Sequence, residues 1–478
     1  MHDIHVIDPV SRIEGHAKIT LHLDEAGQLA DARFHVTEFR GFEDFCRGRP
    51  VEEMPGLTAR TCGICPVSHL LASARAVEVI QAVTVPPAAR LQRRLANLGQ
   101  IVQSHVLSFF HLSAPDLLLG MDAEAAQRNV FALMEAEPEL VRRGIALRRY
   151  GQQVIEAVAG QRIHGRGIVP GGVASPLTAE VRDRLRAGLD EAMAGALATL
   201  ALSEDLLEQF ADQVATFGDF PSLYLAHVLA DGTWAHDDGA LRVIDAEGGV
   251  VADQLDPADY RNVLGEAANP ESYLKSPYWK ALVDGDDPRP GMYRVGPLAR
   301  INVGERFGTP RADEALASFR ERVGRIASSS FHYHHARILE VVACLERLAT
   351  VLDDPVLLDE AVRARGRAVH ARGVGASEAP RGTLFHDYEV DGDGVVTGVN
   401  MIIATGQNEL AMNRTILEIA RTHVDAQRLT PGALNRVEAG IRAYDPCLSC
   451  STHALGRMPL VLSLLGPDGQ RLDEVRRD

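Results

Sequence analysis

The chain has 478 residues, of which 46% are hydrophobic and 24% charged, so it is long enough for a large buried core and has the composition of a globular protein. Its formal net charge of −16 disfavours nucleic acid and anionic membrane surfaces as partners. No apolar stretch approaches the roughly 20 residues that span a bilayer, and no signal peptide is recognisable, so the sequence predicts a cytoplasmic protein without membrane insertion.

The N-terminal part of the chain predicts a β-hairpin followed by a long helix. Apolar and polar residues alternate over 19–23, a turn is expected at 24–27, and the alternation resumes at 34–36. From Pro86-Pro87, apolar residues recur at three- and four-residue intervals as far as Phe109, which is typical of one face of a helix.

The rest of the chain alternates helices with short β segments. Helices are expected across 123–159, 178–212, 312–352 and 408–421, and another from the capping signal Thr430-Pro431. The Gly-, Pro- and Asp-rich region 215–310 indicates loops and short strands, and a second hairpin is expected at 385–390 and 395–404. Because no regular βαβ rhythm is present, the predicted fold class is mainly α (α+β): a large helical core with small antiparallel β-hairpins near the N-terminus and before the C-terminal helices.

Four of the six cysteines form two C-x-x-C pairs, Cys62 with Cys65 and Cys447 with Cys450. Thiolates favour zinc, nickel, copper(I) or iron–sulfur centres. Zinc ribbons usually place their pairs about 15–20 residues apart, whereas 382 positions separate Cys65 from Cys447 (447 − 65). This spacing is more typical of an active site inside a large fold, although spacing alone leaves zinc and iron–sulfur centres open.

Five segments, in order along nearly the whole chain, resemble the large subunits of nickel–iron hydrogenases. They are Arg12–His16, Arg40–Glu43 with Gly48-Arg49, Cys62–His69, Glu378–Gly382 and Asp445–His453. Weaker similarities are Gly296–Arg300 and the His105 helix that ends near Asp116. The last motif is most similar to that of the catalytic subunit of the cytoplasmic, NAD-reducing soluble group. A deazaflavin-reducing or sulfur-linked cytoplasmic enzyme is the alternative within the family.

The resemblance implies reversible heterolytic cleavage of dihydrogen at a nickel–iron centre whose iron carries carbon monoxide and cyanide. Cys62 and Cys447 match the terminal nickel ligands, and Cys65 and Cys450 match the cysteines that bridge nickel and iron.

Three further positions match the family's cyanide-binding positions. These are the backbone beside Pro380, and Ala404-Thr405, where the family more commonly has proline and serine. Since Thr405 retains a hydroxyl, its hydrogen bond to cyanide is expected to survive the exchange.

The resemblance also implies the catalytic side chains. Glu14 is expected to take protons from a terminal cysteine sulfur, and Arg381 to polarise dihydrogen over the open side of the metals. Asp116 and Asp445 match carboxylates that anchor this arginine, because a buried guanidinium needs partners. His69 is expected to donate a hydrogen bond to a bridging thiolate.

A second metal, usually magnesium, is implied near the C-terminus. Glu43, His453 and the Met401 carbonyl match its ligands, and water is expected to fill most of the remaining positions. The family's maturation protease cuts after the last motif histidine, so the prediction is one domain over 1–453, whose terminal segments meet at the metals, and a removable extension over 454–478.

The chain needs partners to move electrons. Only Cys46 and Cys344 remain after the four metal ligands, too few for an iron–sulfur cluster, which needs four thiolates. No G-x-G-x-x-G or Walker A segment is present, so no nucleotide site is expected. The expected partners are a small subunit with iron–sulfur clusters, a flavin-containing diaphorase module that binds NAD, the maturation protease and nickel-insertion proteins. A metal-free relative from respiratory complex I and a zinc-stabilised binding module remain as alternatives from other classes.

Overall fold

The computed structural model describes residues 4–39, 41–269, 271–425, 430–452, 460–465 and 471–477. Arg40 and His453, both part of the motifs above, lie outside these ranges. The chain is 52% helical and 19% strand, which confirms the mainly α (α+β) fold class. In the part of the chain that the structure describes, no helix is both long and apolar enough to cross a membrane.

Helices build most of the fold. They are α1 (Phe42–Cys46), α2 (Met54–Thr58), α3 (Pro66–Gln81), α4 (Pro87–Leu107), α5 (Ala114–Leu119), α6 (Val130–Ala136), α7 (Pro138–Ala159), α8 (Ala179–Gln209), α9 (Ala211–Val214), α10 (Tyr260–Val263), α11 (Pro297–Val303), α12 (Pro310–Val323), α13 (Tyr333–Asp353), α14 (Ala404–Gln407), α15 (Glu409–His423), α16 (Pro431–Tyr444) and α17 (Leu448–Ser451).

The strands form small sheets around this helical core. They are β1 (Ile4–Ile7), β2 (Ala17–Leu23), β3 (Leu29–Val36), β4 (Ile168–Val169), β5 (Gly172–Val173), β6 (Leu223–Val228), β7 (Ala240–Ile244), β8 (Val250–Leu255), β9 (Leu264–Ala268), β10 (Lys275–Trp279), β11 (Tyr293–Arg294), β12 (Arg372–Ala379), β13 (Gly382–Val390), β14 (Val396–Ile402), β15 (Leu460–Leu465) and β16 (Arg471–Arg477). The sheet orders are β1-β2-β3, β4-β5, β11-β6-β7-β8, β10-β9, β12-β13-β14 and β15-β16, and every strand pair is antiparallel except β11 with β6.

Both predicted hairpins are confirmed, as β2–β3 and β13–β14, and each gains a third strand. The helix from Pro87 and the Thr430 cap are also confirmed, since the Thr430 side chain accepts a hydrogen bond from Ala433 N at 3.2 Å. The single helix expected over 312–352 is wrong. The first helix ends before Gly324, whose φ of 97° an L-residue rarely adopts, and Ser329 caps the turn that leads into α13.

The helices expected across 123–159 are present as α6 and α7, but they start later than predicted. The helical residues begin at Val130, and Pro138 separates α6 from α7 because a proline lacks the N–H that a helix interior needs.

The helices α4 and α7 approach each other closely at two glycines. A Cβ on Gly151 would lie 2.7 Å from Gly99 O and 2.9 Å from Gln103 N. Because these neighbours are backbone atoms of the facing helix, they cannot move without shifting the helix itself.

We expect Gly151→Ala to lower the free energy of unfolding by about 1–3 kcal/mol, since it overpacks this contact. Gly56→Ala is the matched control, because nothing lies within 4 Å of the added Cβ in α2. Urea unfolding of the two variants measures the difference. Equal stability of both variants would contradict the close helix packing.

Two glycines in β12 allow this strand to pack closely against helix α3. A Cβ on Gly375 would lie 2.1 Å from Ala72 O in α3, and one on Gly373 would lie 2.2 Å from Ala76 O. Strand β12 therefore lies directly on the backbone of α3. The segment before α3 carries Cys62 and Cys65, so this packing helps to hold it close to the turn that follows β12.

Candidate metal centre

The two C-x-x-C pairs occupy similar local structures. Cys62 follows a 3-10 turn and Cys65 caps the N-terminus of α3, where Pro66 takes the first helical position. Cys447 precedes the short helix α17, which contains Cys450. In each pair, the first cysteine therefore stands in extended backbone and the second at or within a helix start, which directs both sulfurs to the same side.

The four sulfurs converge in the interior. Sγ–Sγ distances are 3.1 Å for Cys62–Cys65, 3.2 Å for Cys62–Cys447, 3.0 Å for Cys447–Cys450 and 3.6 Å for Cys65–Cys450, and all four atoms lie within 4.8 Å of one another. Each cysteine is a buried free thiol. Four soft donors at this spacing form a candidate site for a soft or borderline metal.

The electrostatics of the cluster favour a bound cation. Burial raises the pKa of Cys450 well above its usual range, because a buried thiolate loses its hydration. Burial also works to lower the pKa of Arg381, but Asp445 and the sulfurs of Cys447 and Cys65 outweigh it and raise this pKa. Four thiolates would carry more negative charge than one guanidinium neutralises, so deprotonation of all four thiols would have to accompany the binding of a cation.

A small cavity beside the sulfurs is lined by Cys65, Ser68, His69, Ala379, Arg381, Leu384, Ile403, Ala404, Thr405, Cys447 and Cys450. Within the described residues, Arg381 Nη1 is buried without a hydrogen-bond partner. Thr405 Oγ1 accepts from Cys447 N at 3.0 Å, which leaves the hydroxyl proton of Thr405 available. Soft sulfurs on one side and available donors on the other fit a metal group that carries hydrogen-bond acceptors.

Arg381 is held by one of its two expected partners. Its Nη2 donates to Asp445 Oδ1 at 3.0 Å, and its Nε donates to the Asp445 carbonyl. Asp445 adopts the left-handed conformation at the end of α16, with φ 54° and ψ 54°, so both its carbonyl and its carboxylate face Arg381.

The expectation that Asp116 also anchors Arg381 needs correction. Asp116 Oδ2 accepts from Arg442 Nε at 2.9 Å, and Oδ1 accepts from Asn435 Nδ2 at 3.1 Å and from Arg12. Among the described residues no hydrogen bond joins Asp116 to Arg381, because two other guanidinium groups occupy its oxygens.

Glu14 lies against the second cysteine pair. It forms a parallel β-bridge with Cys447, and its carbonyl accepts from Leu448 N at 3.1 Å. Its carboxylate accepts from Ser449 N at 2.9 Å and also from the Ser449 hydroxyl. The next residue, Gly15, has φ 88°, and a Cβ there would lie 2.6 Å from Leu448 Cβ. A glycine is therefore required for this close approach.

His69 lines the cavity beside the sulfurs together with Cys65, its Nδ1 is 3.1 Å from His386 Nε2, and its Nε2 is 3.3 Å from Thr61 Oγ1. Neither His386 nor Ser449 was among the site residues predicted from the sequence. Their signals were available: Ser449 stands between two metal-ligand candidates, and His386 alternates with Tyr388 on one face of β13, where His386 Nδ1 and Tyr388 Oη are 2.5 Å apart.

The residues expected at a second metal are partly brought together. Glu43 is buried, and its Oε1 accepts from Met401 N at 2.8 Å. Gly41 N donates to Thr452 O at 3.2 Å, which brings the last described residue of this segment close to α1. His453 is outside the described residues.

Comparison with known proteins gives a consistent result. The model of a family described as nickel-dependent hydrogenase matches residues 40–138 and 251–453, and a model described as HoxL-like matches residues 6–39. The β subunit of the NAD-reducing hydrogenase HoxS of Cupriavidus necator is 42% identical over 99% of both chains. A vhu-type F420-non-reducing hydrogenase of Methanococcus voltae has a subunit that is 40% identical, over 87% of this chain and 97% of that one.

Among solved structures, an NAD+-reducing NiFe hydrogenase in the H2-reduced state has a TM-score of 0.91 and 45% identity, covering 94% of this chain and 99% of that chain. A Ni-Fe-Se hydrogenase from D. vulgaris Hildenborough, at 23% identity and a TM-score of 0.76, covering 95% of this chain and 100% of that chain, shares the fold.

Proposed function

Since the chain belongs to the nickel-dependent hydrogenase family, we propose that it is the catalytic subunit of an NAD-linked enzyme that splits dihydrogen reversibly into two protons and two electrons. The observation that carries the proposal is the convergence of four buried cysteine sulfurs, from opposite ends of the chain, within 4.8 Å. A zinc-stabilised binding module needs no such long-range assembly. A metal-free complex I relative generally lacks the four cysteines.

The nickel–iron group, when bound, supplies the Lewis-acid and redox chemistry that splits dihydrogen. We assign Cys62 and Cys447 as terminal nickel ligands and Cys65 and Cys450 as the bridging ligands. Their burial supports this assignment, because a dry pocket protects metal-bound ligands and strengthens the electrostatic interactions around them.

The cavity wall opposite the sulfurs is assigned to carbon monoxide and cyanide ligands on iron. The Thr405 hydroxyl and the backbone after Pro380 are the proposed donors, and Ala404 supplies an apolar surface beside them. The free hydroxyl proton of Thr405 supports its role, because its oxygen already accepts from Cys447 N.

Side chains around the cavity are assigned to proton and charge handling. Arg381 presents a fixed cation, and Asp445 holds it in place. Glu14 receives the proton from the Cys447 side, which its contact with the Cys447–Ser449 segment supports. His69 is proposed to donate a hydrogen bond to Cys65, since both line the cavity. Asp116 acts further out, by fixing Arg12 and Arg442.

Magnesium is the proposed second metal, with Glu43, the Met401 carbonyl and His453 as ligands. The buried carboxylate of Glu43 supports this assignment, because carboxylate oxygen and water are the ligands that Mg²⁺ prefers.

Electrons leave through partner subunits. Cys46 and Cys344 are buried, and two cysteines are too few to hold an iron–sulfur cluster, which needs four thiolate ligands. We propose a small subunit with iron–sulfur clusters, and beyond it a flavin-containing diaphorase that reduces NAD+, since the relative from C. necator is an NAD-reducing enzyme. The complex is assigned to the cytoplasm, and nickel-insertion proteins load the site. A different acceptor is the second candidate, since two subunits of F420-non-reducing hydrogenases are 40% and 39% identical to this chain.

The test is elemental and infrared analysis of the complex purified without oxygen. We expect one nickel per chain, infrared bands of iron-bound carbonyl and cyanide, and NAD+ reduction that depends on dihydrogen. Zinc in place of nickel, or nickel without these bands, would overturn the proposal. Reduction of viologen dyes without reduction of NAD+ would instead favour the second candidate acceptor.

Residues 454–478 are proposed to be a maturation peptide. They include the antiparallel pair β15–β16, and Thr452, two residues before them, is buried. We expect the mature subunit to end at His453, because removal of the extension allows the segment that carries Cys450 to close over the loaded metals. Intact-mass spectrometry of nickel-containing protein checks this, and a loaded, active chain that still ends at Asp478 would contradict it.

A further inference from the structure

A cluster of buried charges lies against the turn that carries Arg381. It consists of Arg300 in α11, Glu340 and Glu378, and Arg300 binds both carboxylates. Arg300 Nε and Nη2 each donate to a carboxylate oxygen of Glu340 at 2.6 Å, and Nη1 donates to Glu378 Oε2 at 2.7 Å. The three side chains are essentially inaccessible to solvent. None of them lines the cavity beside the sulfurs, and none has a role in the proposed reaction.

The same guanidinium binds the turn that carries Arg381. Arg300 Nη1 donates to Ala379 O at 2.9 Å, and Nη2 donates to Pro380 O at 3.0 Å. Ala379 pairs with Gly382 in the β12–β13 register, so Pro380 and Arg381 are the two residues of a tight turn. Arg300 therefore holds two successive carbonyls of this turn at once.

Because the peptide unit is planar, the hold of Arg300 on the Pro380 carbonyl also fixes the direction of the Arg381 N–H. The Pro380 carbonyl and the Arg381 N–H belong to one planar trans unit, so they point in opposite directions. Fixing the carbonyl on Arg300 consequently aims the Arg381 N–H away from the charge cluster. The proline ring also fixes φ at the first turn residue, which leaves the turn little freedom apart from the rotation that Arg300 restrains.

The N-terminus of α11 holds the turn from a second direction. A Cβ on Gly296 would lie 2.7 Å from Arg381 O, so the α11 backbone touches the turn at that point. Gly296 and Arg300 are four positions apart and therefore lie on one face of the helix. The Gly296–Arg300 segment thus contacts both peptide units that flank Arg381.

The carboxylates that hold Arg300 are fixed in turn. Glu340 Oε2 lies 2.7 Å from His105 Nε2, and burial lowers the pKa of His105 to about 4, so a neutral imidazole donates to it. Glu378 Oε1 accepts from Thr383 Oγ1 at 2.7 Å and from His227 N at 3.0 Å. Each carboxylate oxygen of Glu340 and Glu378 has a partner, which makes the cluster rigid.

Buried ion pairs are poor sources of stability, because desolvation cancels most of their attraction and apolar residues of similar volume often serve as well. The planar guanidinium of arginine instead holds its hydrogen-bond partners in a fixed arrangement, which the single amino group of a lysine cannot reproduce. We propose that Arg300 is a positioning residue that sets the orientation of the Pro380–Arg381 turn, and with it the guanidinium and the backbone N–H of Arg381, relative to the metal group. This inference rests on the proposed function.

The test compares Arg300→Lys with Arg347→Lys in the purified complex. Arg347 is the matched control, because its Nη2 also donates to two backbone carbonyls, Trp234 O at 2.8 Å and Phe307 O at 2.5 Å, but it holds no residue of the cavity. In both variants lysine supplies an amino group in place of the planar guanidinium fork, so each loses the two-pronged contact to backbone carbonyls. Nickel content, thermal stability, infrared spectra, kinetics and hydrogen–deuterium exchange are measured for each.

We expect Arg300→Lys to retain nickel, with kcat lowered about 10–100-fold and KM for dihydrogen nearly unchanged. Its cyanide bands shift, and amide exchange at 381–383 becomes several-fold faster. Arg347→Lys loses stability but keeps the wild-type bands and kcat. Unchanged bands and kcat in a folded Arg300→Lys enzyme would overturn the inference.

If Arg300→Lys does not fold, Glu378→Gln keeps the volume and loosens Arg300 more mildly, and the same shifts are expected at smaller size. Wild-type bands and kcat in this variant would then count against the inference.

A wild-type enzyme without nickel or without these bands refutes the proposed function instead. The exchange rates at 381–383 in Arg300→Lys and Arg347→Lys still decide the positioning role in that case, because they need no metal.

Discussion

Cys65→Ala is expected to yield a folded protein without nickel and without hydrogenase activity. Cys65 contacts Cys62 and Cys450 in the sulfur cluster, at Sγ–Sγ distances of 3.1 Å and 3.6 Å. Its removal leaves three sulfur ligands where the proposed metal group would need four. Elemental analysis of the purified complex measures the loss, and circular dichroism establishes that the variant is folded.

Cys344→Ala is the matched control, since Cys344 is fully buried in α13 and outside the sulfur cluster. This variant should keep its nickel and its activity, with a stability cost of about 1 kcal/mol. A Cys65→Ala enzyme that still holds one nickel per chain and oxidises dihydrogen would refute the assignment of the cluster as the metal centre.

Glu14→Gln is expected to lower kcat for dihydrogen oxidation about 10²–10⁴-fold while nickel content and infrared bands stay as in the wild type. Glutamine has the same shape and keeps a carbonyl oxygen that accepts from Ser449, so the segment around Cys447 should keep its position. It cannot take up a proton at neutral pH. The loss therefore isolates proton transfer from metal binding.

Glu38→Gln tests the specificity of this effect. Glu38 is partly exposed and pairs with His16, two residues from Glu14, so its replacement removes a carboxylate from the same region. It should leave kcat within about twofold of the wild type, because Glu38 contacts His16 and not the Cys447–Ser449 segment. The fold should also be unaffected, since exposed ion pairs contribute little to stability. A Glu14→Gln enzyme with normal kcat, or one that loses its nickel, would contradict the assignment of Glu14 to proton transfer.

Local features were predictable where a short stretch of sequence decides the structure. The β2–β3 hairpin follows from two-residue alternation, and the start of α16 follows from the Thr430 hydroxyl and the proline after it. The long helix over 312–352 was wrong because its periodicity continues across Gly324, although the backbone there is not helical. The spacing of apolar residues shows which face of a helix is buried, but it does not reveal a short break between two helices whose buried faces are in line.

The sequence by itself determined the mainly α fold class, the two C-x-x-C pairs and, through five matching motifs, the family. Only the tertiary structure decided that Asp116 binds Arg12 and Arg442 rather than Arg381, and that Arg300 binds the turn that carries Arg381. The physical reason is the separation along the chain of the residues that make each contact. Caps and periodic faces depend on neighbours within a few residues, whereas these contacts join residues 80 to 326 positions apart. Which arginine meets which carboxylate is settled by how helices and strands pack, and no local pattern records it.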